Sequence, residues 1–135
     1  MKAVYMLCAD GVVVDRRTNN VSLFNMMEEI NSVGFPLLIS KLYAVCLINR
    51  EANDDDITEA VFEFKLDNQM LLKTNTNINF QHKQKTRAVL EVSGLVIPVP
   101  GTLKISLLKD EDVISRNEIV INKIDQTSKA ATTIN

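Results

Sequence analysis

Glu51-Ala52-Asn53-Asp54-Asp55-Asp56 puts four carboxylates into one short loop, the kind of donor set a calcium ion takes. Calcium gathers about six to eight oxygens around itself. This loop lacks EF-hand spacing and has no glycine that would let it wrap an ion. It reads as a solvated turn in which Asp56 caps or ends an element. His82-Lys83-Gln84-Lys85-Thr86-Arg87 is the most basic stretch and carries the single histidine. A histidine can serve as a general base, but no nucleophile elbow, His-Glu-x-x-His motif or glycine-rich phosphate loop accompanies it. Binding of single-stranded nucleic acid would require aromatic rings between the cations, and only Phe80 is near, on the expected core face. The stretch reads as a solvated connection. Glu28-Glu29 cannot act together on one bond, because neighbouring side chains on a strand point to opposite faces. Cys8 and Cys46 lie within apolar runs without a basic neighbour to activate them, so both read as small buried hydrophobes kept reduced.

The elements that must carry these residues are clearest at 57–66 and 70–80. Ala60, Phe62, Phe64 and Leu66 share one parity, while Glu59, Glu63 and Lys65 take the other. In the second run Met70, Leu72, Ile78 and Phe80 alternate with Lys73, Asn75, Asn77 and Asn79. A period of two gives each strand one apolar and one polar face. Asp67-Asn68-Gln69 is the turn between them. Asp56-Ile57-Thr58-Glu59 resembles a helix capping box, but a helix would strand Phe62 and Leu66 away from its apolar stripe. Residues 57–66 are therefore expected as a strand.

Elsewhere residues 3–9 form a continuous apolar run, and Asp10-Gly11 suggests a turn before Val12-Val13-Val14. Residues 15–20 read as a hairpin tip, with a strand returning from Val21; residues 26–30 fit helix or strand. Residues 37–48 make a long central strand, and 87–94 and 102–107 alternate cleanly apart from Val89. Pro98-Val99-Pro100-Gly101 must interrupt pairing. Facing apolar sides of about eight strands give an all-β, immunoglobulin-like antiparallel sandwich over residues 1–124, with 125–135 as a frayed tail.

Net charge is −2, which argues against a nucleic-acid or anionic-membrane binder. No apolar run reaches the roughly 18 residues of a spanning helix, and Asp10 cuts short any signal-peptide core. Cys8-Ala9-Asp10, then Val12-Val13-Val14-Asp15 and Asn20-Val21-Ser22-Leu23-Phe24-Asn25, resemble the start of a family of small bacterial β-sandwich proteins known only as a domain of unknown function. Pro98-Val99-Pro100-Gly101-Thr102-Leu103-Lys104-Ile105-Ser106-Leu107 is similar to the last hairpin of many immunoglobulin-like sandwiches, with Leu103 where the pattern has an aromatic residue. The resemblance covers about a third of the chain; it implies the fold and a bacterial cytoplasmic setting, and no chemistry.

Function is expected to be non-enzymatic. Val61, Leu71 and Val89 each break the polar parity of their strands, and if those faces adjoin they form an exposed apolar patch. That patch is the expected contact for another protein chain, a second copy included, with no cofactor, metal, nucleic acid or membrane involved. The competing readings are a carrier with an inter-sheet pocket lined by Phe62, Phe64, Met70 and Phe80, and an accessory subunit of an enzyme complex.

Overall fold

A computed structural model describes residues 1–125; all of the expected tail except Asp125 lies outside the described residues. The strands are β1 (Lys2–Val14), β2 (Val21–Met26), β3 (Glu29–Ser32), β4 (Leu37–Asn49), β5 (Ile57–Leu66), β6 (Gln69–Asn79), β7 (Lys85–Ile97), β8 (Gly101–Lys109) and β9 (Asp112–Lys123). They form two sheets, β2-β1-β4-β7 and β3-β9-β8-β5-β6. The described residues contain no helix, so the capping-box pattern at 56–59 opens a strand.

Burial follows the parity of the sequence in β5, where Thr58, Ala60, Phe62, Phe64 and Leu66 are buried. Leu103, Ile105 and Leu107 of β8 and Ile119 and Ile121 of β9 extend the same apolar face. The first sheet meets it with smaller side chains, Cys8, Ala44, Cys46 and Ala88, among Leu42, Ile48 and Ile97. Small groups in one layer and large ones in the other, all in one core, allow the layers to interdigitate. Burying each of these large side chains contributes about 1.5–3 kcal/mol.

Several local expectations give way to tertiary pairing. Asp10-Gly11 is no turn: β1 runs on to Val14, with Gly11 opposite Phe24 on β2. Residues 29–32 are a ninth strand, β3, held in parallel register with β9 from Glu29 opposite Val120 to Ser32 opposite Lys123. The polar character of β3 hid it, because a short edge strand buries little. In β4 and β7 the buried parity switches together, from Leu42 and Val92 to Ile39 and Leu95, while the register on either side is unchanged. Gly94 sits within this switch at φ 73°, a conformation that costs glycine little.

β6 carries a bulge. Phe64 pairs with Leu72 and Lys65 with Met70, leaving Leu71 as the additional residue. An extra residue inverts the alternation on one side of it. Met70 is therefore exposed, against the parity expectation, whereas Leu71 and Leu72 both pack against the core.

Candidate functional site

β1 pairs with β4 only as far as Ala9 opposite Tyr43; from Ala9 onward its partner is β2. The tip of this hairpin is fixed by Asp15, whose carboxylate accepts the N–H groups of Arg17 and Thr18. These bonds hold the Asp15 pKa below the usual carboxylate range. The tip also meets the sheet: Arg87 donates from Nη2 to the carbonyl oxygen of Asn19. Arg87 stands opposite Leu47, and Val45, next along the outward row of β4, is fully buried. A valine on the outward parity can be fully buried only if something covers it, so the hairpin lies across the outer face of the first sheet. The tip reaches β7 at Arg87; farther along that strand Val89 and Val96 remain about half exposed, beside Leu38 opposite Val96.

β7 is the margin of this sheet. Among the described residues it pairs with β4 alone, through Lys85 opposite Asn49 to Leu37 opposite Ile97. β6 is the corresponding margin of the second sheet. Its bulge at Leu71 and its Lys73 are features that blunt an edge, and β7 has no register shift of this kind.

The three residues expected to form one apolar patch are not brought together. Val61 lies opposite Asn75 and Leu108 in the second sheet, Leu71 is turned against the core by its bulge, and Val89 belongs to the first sheet. Parity alone could not tell that β7 joins β4 and not β5 or β6. The lining imagined for an inter-sheet pocket is also dispersed, since Phe62, Phe64 and Phe80 are fully buried in the core while Met70 faces outward.

Val61 instead floors a cleft of about 530 Å³ beside the β8–β9 turn, with Glu59, Asn75, Asn77, Asp110 and Glu111 around it. A second cleft, of about 400 Å³, lies at the β6–β7 corner and is lined by Asn19, Leu47, Asn77, Asn79, Phe80, Gln81, Lys83, Lys85, Thr86 and Arg87. Among the described residues no group of three or more histidine, cysteine, aspartate or glutamate side chains is placed to hold a metal ion.

The acidic loop is a structural knot more than a solvated turn. Asp54 is buried, with Oδ2 2.6 Å from the Met1 amine and Oδ1 3.3 Å from Lys109 Nζ, and it accepts the Glu51 N–H at 2.8 Å. Burial would raise its pKa, but these contacts outweigh burial and pull it down to about 2. Asp56 Oδ1 accepts the His82 N–H at 2.7 Å and a 3.3 Å bond from Arg50 Nη1. Arg50 also stacks on Phe80, 5.7 Å from the ring centre, and its N–H reaches the Gln84 carbonyl. The sequence signal that could have found this was the lone Arg50 beside the acid run.

Cys8 and Cys46 are buried free thiols on adjacent strands. Burial pushes Cys8 up to about 12 and Cys46 up to about 11. The sequence matches no protein-family model and no curated protein.

Proposed function

We propose that this chain is a non-enzymatic protein-binding or assembly module that receives a partner strand on the open side of β7. The observation that carries the reading is β7 itself: a strand of thirteen residues, paired along one side only and without a register shift, with Val89 and Val96 exposed along it. An edge of this kind presents a row of unpaired backbone groups to another chain, and its alternate side chains add apolar contact. The partner is another protein chain, a second copy of this one being the first to test.

The strand order supports an immunoglobulin-like reading of the sandwich. β1-β4-β7 packs on β9-β8-β5-β6, and β3 runs parallel to the final strand β9. The β1–β2 hairpin, which shields the outer face up to β7, is the addition to that plan. The two buried free cysteines support a reducing, cytoplasmic setting.

The test is sedimentation over a hundredfold range of concentration, on the natural chain and on Val89→Lys/Val96→Lys. The natural chain is expected to associate, and the variant to stay monomeric with a melting temperature lower by no more than about 2 °C, as for exposed positions. Association that survives both lysines would exclude this edge. If the natural chain is monomeric throughout, the same pair is compared in capture from its host, where loss of one defined partner in the variant is required.

A further inference from the structure

We propose that the cleft at the β6–β7 corner binds a phosphate-bearing anion. Its volume of about 400 Å³ suits a small organic phosphate. Three cations, Lys83, Lys85 and Arg87, line it together with the amides of Asn77, Asn79 and Gln81. This concentration of positive charge stands in a chain whose net charge is −2.

None of these three cations has an ion pair among the described residues. Arg87 spends one donor on the Asn19 carbonyl and keeps the rest of its planar fork for a ligand. Asp56, a carboxylate of the same corner, accepts from Arg50 and from the His82 N–H at Oδ1 and makes no ion pair with the lysines among the described residues. The walls are set before any ligand arrives. The loop from 81 to 84 is tied by the His82 N–H to Asp56, by the Lys83 N–H to the Phe80 carbonyl and by the Gln84 carbonyl to Arg50. The hairpin tip is tied by Asn19 to Arg87. Fixing the loop in advance lowers the ordering cost of binding.

Two lysine ammoniums and a guanidinium exceed what one carboxylate would neutralise, and they match the charge and oxygen count of a phosphate ester or diphosphate. The neighbouring cleft around Glu59, Asp110 and Glu111 has the opposite sign, and its like charge would turn such a ligand toward the basic side. The phosphate can come from a soluble ester or from a lipid headgroup, and the experiment separates them.

Inorganic pyrophosphate is titrated into isotope-labelled protein at low salt, with sulfate at matched ionic strength as the control. The amide signals of residues 81–87 are expected to move with pyrophosphate and much less with sulfate. Lys83→Glu/Lys85→Glu should weaken the response by about tenfold or more, in keeping with loss of two charge-assisted contacts. In parallel, the chain is spun down with vesicles of phosphatidylcholine alone and with added phosphatidic acid. Sedimentation only with the acidic vesicles, abolished by the double variant, assigns the phosphate to a lipid; binding of pyrophosphate alone assigns it to a soluble ester. Equal shifts with sulfate, shifts scattered away from the corner, or a double variant that binds as well as the natural chain would overturn the proposal.

Discussion

Replacing Asp54 by asparagine should remove about 2 kcal/mol of stability at neutral pH and almost nothing at pH 2. The carboxylate is held by the Met1 amine, the Glu51 N–H and Lys109 Nζ at 2.6, 2.8 and 3.3 Å. Burial opposes its ionisation, the three partners favour it, and the balance lowers the pKa from 3.8 to about 2. In the unfolded chain the same group titrates near 3.8. Between those values the unfolded state binds more protons than the folded one, so the stability from this group rises with pH across that window. It is fully present above about pH 4 and lost as the pH drops through about 2. A gap of nearly two pH units, at about 1.4 kcal/mol each, gives the 2 kcal/mol. For a domain of this size that is about 5–10 °C in melting temperature. Urea denaturation followed by circular dichroism at pH 7, 4 and 2 measures both chains. Their stabilities should differ most at pH 7 and converge toward pH 2. A difference that persists unchanged at pH 2, or none at pH 7, would refute the electrostatic account of the knot.

Phe62→Ala, at a fully buried position, should cost about 3–5 kcal/mol in the same denaturation assay, because the cavity adds to the lost transfer energy. Leu71→Lys should cost about 1–2 kcal/mol, since the bulge turns this side chain against the core; an unchanged urea midpoint would mean it faces water. Cys8 and Cys46 should resist an aromatic disulfide reagent at pH 8 in the folded protein and react fully in denaturant, as burial and pKa values of about 12 and 11 require. Gly94→Ala should destabilise by about 1 kcal/mol through its φ of 73°, read as a lowered urea midpoint.

Alternation made β5 and β8 legible, because each has one apolar face and lies within a sheet. The turns at 15–20 and 67–69 were legible too, although Gln69 already belongs to β6, and Asn19 and Asp67 take the left-handed backbone such turns use. What stayed hidden depends on partners distant in sequence. β3 exists because β9 supplies its hydrogen bonds, and Gly11 stays extended because Phe24 lies opposite it. The apolar exceptions had two different causes that one sequence cannot separate. Leu71 marks a bulge, whereas Val89 is exposed where the hairpin cover ends. The acidic run looked merely solvated because its cations, Lys109 and the chain's own amine, lie about fifty residues away on either side. The basic stretch likewise became a cleft only when Asn19 was carried across the sheet to Arg87.

Backbone hydrogen exchange of β7, measured with increasing concentration of the chain and then with any captured partner, tests the edge-pairing claim most directly. The amides of residues 85–97 that point away from β4 should exchange rapidly in dilute solution and become protected on association, with β6 unchanged. Protection that appears at β6, or association that leaves β7 exchanging as before, would contradict the account.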